Sequence, residues 1–171
     1  RALEHEPAQL PRNIDELHRM VAGATAEVRR FSRALRPLYL EDLGLAPALE
    51  LLAKESEAGF TLGGAPRRLA PDLELALYRI AQESLSNARR HAHAAQVEVT
   101  LVFGPQQVRL TVSDDGDGFV LPDDLSSLAR SGHFGLMSMH ERAQLAGAHL
   151  EVDTEPDQGA SITVTATLPP A

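Results

Sequence analysis

The sequence predicts an α/β two-layer sandwich: a mixed, mostly antiparallel sheet with helices on one face, preceded by a helical segment. Three observations carry this expectation. Residues 97–103 and 108–112 alternate apolar and polar side chains, and so do 149–153 and 162–168, which is the period of half-buried strands. Helical stretches separate these strand pairs and lie before the first of them. Ahead of everything, residues 14–35 carry apolar side chains at helical spacing.

That first stretch places Ile14, Leu17, Val21, Ala24, Val28, Phe31 and Leu35 at alternating steps of three and four. This narrow seam is typical of a helix bundle or a dimer; one amphipathic helix packed on its own domain is the other reading. Pro37 stops the helix. Residues 38–58 are expected to form a connector and a helix from Ala48 to Ala58, capped by Gly59. A short strand follows around Phe60 to Leu62, then a turn at Gly63-Gly64-Ala65-Pro66. Pro71-Asp72 opens a long helix to about His91, because Pro fits a first helical turn and Asp favours its positive end. Val97, Val99, Leu101 and Phe103 then alternate, as do Val108, Leu110 and Val112. Gly104-Pro105 between them makes an antiparallel hairpin. A polar stretch, 114–134, leads to a helix at about 135–146 that ends at Gly147, and two more strands close the chain.

Composition bounds the function. The chain has 171 residues, enough for one sizeable core and a short appendage. Hydrophobic residues make up 43% and charged residues 23%, which fits a globular domain. No apolar run approaches the roughly 20 residues of a membrane helix. The chain starts Arg1-Ala2-Leu3-Glu4, which suggests a piece of a longer protein whose membrane segments, if any, precede it. The absence of cysteine excludes disulfides, thiol catalysis and thiolate metal sites, and fits a cytoplasmic location. A formal net charge of −8 argues against nucleic-acid binding. An anionic ligand would have to be held by local groups.

Three local features could hold such a ligand. On the long helix, Glu83, Asn87 and Arg90 fall within about 60° of one another beside the apolar stripe of Leu77, Ile80, Ser84 and Ala88. The amide oxygen of Asn87 suits Mg²⁺, and Glu83 could orient or deprotonate a hydroxyl or a water. The second feature is Asp114-Asp115-Gly116-Asp117-Gly118. Parity puts Asp114 on the same face as Val108, Leu110 and Val112, so it ends a buried face and needs a donor. The amino group of an adenine ring would serve. Gly116 and Gly118 would let the backbone approach a ligand closely. Two other readings stay open for this loop: a plain Asp-Gly turn, and a calcium loop, since Ser113, Asp115, Asp117, Gly118 and Asp124 have EF-hand spacing. Ser113 at the first position and Pro122 inside the loop weigh against calcium. The third feature is Gly132-His133-Phe134-Gly135-Leu136 at a helix start, where free N–H groups favour an anion and His133 could touch a phosphate.

The order of these features resembles the GHKL (Bergerat-like) ATPase fold of histidine kinases over about residues 70–169. Within it, the chain resembles the sensor kinases that pair with NarL-type response regulators. The runs that carry this are Leu77-Tyr78-Arg79-Ile80-Ala81-Gln82-Glu83, Asn87-Ala88-Arg89-Arg90-His91-Ala92, and Gly132-His133-Phe134-Gly135-Leu136 followed by Met139 and Glu141-Arg142-Ala143. Upstream, Leu35-Arg36-Pro37 and Leu43-Gly44-Leu45 resemble the end of that subfamily's dimerisation helix and its connector. The resemblance implies a boundary between residues 1–45, part of a dimerisation domain with its connector, and residues 46–171, an ATP-binding catalytic domain.

The resemblance also implies roles. Asp114 would accept from the adenine amino group, with Gly116 and Gly118 shaping that pocket. Asn87 would bind Mg²⁺ between the phosphates, and Glu83, the acid/base or water-orienting carboxylate, would reach the ion through water. Arg90, with His91 beside it, would reach phosphate, and Gly132, Gly135 and Leu136 would border the triphosphate and a lid. The implied cofactors are ATP and Mg²⁺. The implied partners are the receiver domain of a NarL-type response regulator and, in the full-length parent, a second copy; a membrane would enter only through segments before this chain. The implied activity is transfer of the ATP γ-phosphoryl to a histidine. The acceptor is expected outside this chain: His5 is followed by Pro7 and lies too close to Leu35-Arg36-Pro37, and His18 is off the seam. The isolated chain should then be unable to phosphorylate itself. Where the family has a late Gly-Thr, this chain has Gly159-Ala160, which puts a hydroxyl role there in doubt. A serine kinase of the anti-sigma-factor kind, another GHKL ATPase and a non-catalytic nucleotide-binding module are the alternatives.

Overall fold

The computed structural model describes residues 38–121 and 134–169. The heptad stretch, His5, His18, Asp124, Gly132 and His133 lie outside them. The described residues belong to a compact unit that starts at Leu38. In chain order the elements are α1 (Leu38–Leu43), α2 (Leu45–Glu55), β1 (Gly59–Gly63) and α3 (Pro71–Asn87), which continues into a π-helical turn (Ala88–Ala92). Then come β2 (Val97–Phe103), β3 (Gln107–Asp114), α4 (Phe134–Leu145), β4 (Ala148–Thr154) and β5 (Ala160–Thr167). Among the described residues, no helix is long and apolar enough to cross a membrane.

The strands form one five-stranded sheet in the order β1-β2-β3-β5-β4. Only β1 runs parallel to its neighbour; the other three pairings are antiparallel. The register stacks buried residues in tiers. Val99 faces Val112, which faces Ile162; Leu101, Leu110 and Val164 form the next tier, and Phe103, Val108 and Ala166 the third. All nine side chains are buried, while Arg109 on the opposite face is exposed. The helices cover the buried face with Leu49 and Leu52 of α2, Leu77 and Ile80 of α3, and Met139 and Ala143 of α4. This is the expected two-layer sandwich, and burial of the apolar tiers is its main driving force.

Several boundaries differ from expectation. The helix expected at 48–58 spans Leu45–Glu55, because Pro47 falls in its first turn, where a missing N–H costs nothing. Its left-handed exit residue is Glu57 (φ 58°), and Ala58 N–H closes the helix on Ala53 O at 2.9 Å. Gly59 is therefore not the cap. It opens β1, opposite Glu98, whose carboxylate occupies the space a Cβ would need. The residues expected as irregular connector hold the short helix α1. The long helix begins at Pro71 as expected, but its last five residues wind as a π turn.

One ion pair, between a buried carboxylate and an exposed guanidinium, ties the start of this unit together. Glu74, in the first turn of α3, is fully buried, and its Oε1 pairs with Arg68 Nε at 3.1 Å. Arg68 Nη2 donates to Oε2 at 3.2 Å, and Leu69 N–H donates to Oε1 at 3.0 Å. The same guanidinium donates from Nη1 to the carbonyl of Glu41 at 3.0 Å, fixing α1 to α3.

Candidate functional site

The end of α3 supplies one wall of a cleft of about 470 Å³. Glu83 and Asn87 are one turn apart on a helix whose adjacent stripe is buried, so both side chains project at the rim of the core. Among the described residues, neither side chain is held by a hydrogen bond or ion pair. The π turn carries Arg90 and His91, both exposed, to the same opening. A π turn advances less per residue than an α-helix, being closed by i→i+5 bonds. Arg90 stands one turn above Ser86, to whose Oγ its guanidinium donates.

The opposite wall comes from the sheet. The tiers of β3 end at Asp114, which stands beside Ala160 of β5. Val112 and Ile162 lie one tier deeper, and all four residues line the cleft. Asp114 is half-buried at the end of the face that Val108, Leu110 and Val112 bury. Its Oδ1 accepts from Gly116 N–H at 3.1 Å, and among the described residues that is the carboxylate's one donor. The carboxylate shares the cleft with the apolar side chains of Phe119, Leu136, Val112 and Ile162. A flat aromatic ring with an exocyclic amino group has the shape and the donor that this end of the cleft lacks.

The Asp-Gly loop is built by close backbone crossings. Asp115 Oδ1 accepts from Gln96 N–H at 2.7 Å, Asp117 N–H donates to Ala92 O at 2.7 Å, and Asp117 Oδ2 meets His93 Nδ1 at 2.8 Å. A Cβ on Gly116 would strike the Ala92 carbonyl; one on Gly118 would strike that of Glu155, and one on Gly159 that of Asp114. Gly116 is thus packed behind the cleft and does not line it. Gly118, Gly135 and Leu136 do line it, while Gly132 and His133 lie outside the described residues. At the start of α4, Gly135 lets the helix end approach Glu83, whose Oε1 would lie 2.8 Å from an added Cβ.

These placements decide between cations. Asp115 and Asp117 are spent on the backbone of Gln96 and on His93, so they do not converge as a calcium loop would require. Among the described residues, no group of three or more His, Asp or Glu could cage a metal ion. The amide of Asn87 with Glu83 beside it fits Mg²⁺, which is bound by few protein ligands and completed by phosphates and water.

Sequence reasoning missed the apolar lining, Val112, Phe119, Ala160 and Ile162, and also Ser84, Ala88 and Ala92. The alternation of β5 and the aromatic residue directly after the glycine loop were available signals. Thr154, which braces the loop from β4, had none.

Residues 72–170 match the model of the histidine kinase-, DNA gyrase B- and HSP90-like ATPases. A sensor-like histidine kinase of Chloroflexus aurantiacus is 38% identical over 173 residues, covering 96% of this chain and 29% of that protein. The signal transduction histidine-protein kinase/phosphatase DegS of Brevibacillus brevis is 33% identical over 159 residues, covering 90% and 40%. The chain spans less than half the length of these relatives. Among solved structures, the ATP-binding domain of PrrB from Mycobacterium tuberculosis superposes with a TM-score of 0.54 at 22% identity, over 73% of this chain and 91% of that one. The histidine kinase domain of the Escherichia coli osmosensor EnvZ gives 0.55 at 19%, over 74% and 88%.

Proposed function

The chain belongs to the histidine kinase-, DNA gyrase B- and HSP90-like ATPases and carries the ATP-binding domain of a sensor histidine kinase; from that premise we propose how its cleft holds Mg·ATP and what it does with it. The adenine ring lies between Val112, Ile162, Leu136 and Phe119, and its amino group donates to Asp114. The triphosphate extends toward α3 and the start of α4, where N–H groups and Arg90 and His91 meet negative charge. Asn87 would hold Mg²⁺, with Glu83 reaching it through water. The ion, when bound, neutralises charge that develops between the β- and γ-phosphates.

The parent protein transfers the γ-phosphoryl group to a histidine. The imidazole nitrogen attacks phosphorus, the bond to the β-phosphate oxygen breaks, and ADP leaves. Glu83 orients the acceptor or takes its proton. Positioning and electrostatics do most of this work. The phosphoryl group then passes to a response regulator, of the NarL type by the chain's sequence runs, in a parent that acts as a homodimer. The ATP-binding domain is residues 46–171, with residues 1–45 as part of the dimerisation domain and its connector; Arg68 links Glu41 of the connector to Glu74 of α3.

The observation that carries this reading is the half-buried Asp114 carboxylate at the end of an apolar slot, with one oxygen lacking a donor among the described residues. Replacing Asp114 by Asn removes a charge-assisted hydrogen bond of about 1.5–3 kcal/mol, or roughly 10–150-fold in affinity. Calorimetric titration of both proteins with ATP, with and without Mg²⁺, measures this. Equal affinities would sink the adenine assignment.

A further inference from the structure

Thr154 ends β4 and lines no part of the cleft, yet it sits at the junction that shapes it. Its Oγ1 donates to the Gly159 carbonyl at 2.9 Å and accepts from Phe119 N–H at 3.1 Å. The sheet register sets this up. Asp114 on β3 faces Ala160 on β5, and Ala160 faces Thr154 on β4, so the hydroxyl and the carboxylate stand on one level of the sheet with a methyl group between them. The loop leaving Asp114 crosses over Gly159 and returns through Gly118, which presses on Glu155. A backbone bond, Asp157 N–H to Asp117 O at 2.6 Å, fastens the middle of the crossing. Among the described residues, Thr154 is the only side chain that hydrogen-bonds both the loop's exit and the β4–β5 turn.

We infer that Thr154 is a positioning residue for the nucleotide: its hydroxyl holds Phe119 at the Asp114 end of the cleft without touching the ligand. The inference rests on the reading that this cleft binds ATP. Without the hydroxyl, the bonds from Phe119 N–H to Thr154 and from Thr154 to the Gly159 carbonyl are both lost. The loop can then leave the position in which Phe119 forms a wall. Apparent affinity falls by the fraction of molecules that keep the competent loop. A shift equal to one lost hydrogen bond makes that at most about tenfold, the full factor being reached where the wild-type loop is only weakly biased to its competent position.

The test compares the wild-type chain with Thr154→Val, which keeps the β-branched shape, and Thr154→Ser, which keeps the hydroxyl. ATP and AMP are titrated into each by calorimetry, and amide exchange at Phe119 is followed by NMR. In T154V both nucleotides are expected to bind about three- to tenfold more weakly, by the same factor, because the defect lies at the base end and not at the phosphates. Phe119 exchange should speed up while Leu110, in the centre of the sheet, stays protected. T154S should bind within about twofold of wild type. If the wild-type chain binds no ATP, the nucleotide reading falls and takes this role with it. If wild type binds and T154V binds equally well, the positioning role alone is wrong. If T154S loses as much as T154V, the hydroxyl is not the agent, whatever either variant does to stability.

Discussion

Gly159 and Gly135 both stand against neighbours that a methyl group would strike, and the two collisions differ in kind. At Gly159 the methyl meets the backbone carbonyl of Asp114, and φ is 74°, a left-handed conformation costly for any other residue. Neither partner can give. Gly159→Ala is expected to lose about 2–4 kcal/mol of stability, read as a lowered melting temperature. At Gly135 the methyl meets Oε1 of Glu83 at 2.8 Å, the far end of a flexible side chain. Alanine also favours the helix there by about 1 kcal/mol, so Gly135→Ala should melt near the wild-type temperature. Its displaced Glu83 should still cut phosphotransfer to a catalytically dead parent at least tenfold by the transition-state scale. A variant that melts normally and transfers normally would remove Glu83 from the reaction. Asp114 was legible from strand parity, which needs only the local pattern. Thr154 was not, because its partners lie 35 residues upstream and five residues downstream, and only the folded sheet brings them together.

Elements were legible where one face is apolar and illegible where winding is set by tertiary contacts. The four long strands and the start of α3 follow from alternation and from Pro71. The π turn at its end does not, since Ala88–Ala92 would continue an α-helix as readily; the carbonyl of its last residue, Ala92, accepts from Asp117 N–H in the Asp-Gly loop. The helix expected to start at Ala48 begins three residues earlier because Leu45 and Ala46 are buried against the core. The contact of α1 with α3 through Arg68 and Glu74 was equally invisible, as an Arg and a Glu six residues apart look like surface charges. Arg68→Met tests its weight. Glu74 is fully buried and Arg68 55% exposed, so the pair should fall at or below the lower end of the 3–5 kcal/mol measured for breaking buried pairs. A loss of about 2–3 kcal/mol lowers the melting temperature by roughly 5–10 °C in a chain of this size. ATP affinity should hold, because the pair lies away from the cleft. A melting point within about 1 °C of wild type would mean the carboxylate is satisfied without Arg68.

For the molecule as a whole, charge and ligand have the same sign. The chain carries −8 at pH 7, and its proposed ligand is a polyanion. Attraction therefore has to be local, from exposed Arg90 and His91 at the rim and from backbone N–H groups at the start of α4. The two contributions separate by distance. The field of the whole protein acts over the Debye length, about 30 Å at 0.01 M salt and about 8 Å at 0.15 M, while contacts inside the cleft are screened far less. Salt should then remove the long-range repulsion first. Association of Mg²⁺-free ATP, followed by stopped-flow, should become roughly two- to fivefold faster from 0.01 to 0.15 M salt. A protein that gathers polyanions through a broad basic surface behaves in the opposite way, losing affinity steeply as counterions compete. Arg90→Ala sharpens the comparison: it should slow association at every salt concentration and leave the upward slope in place. An association rate that falls with salt in the wild-type chain would mean that local positive charge governs the approach, and that the overall acidity has no part in how ATP is met.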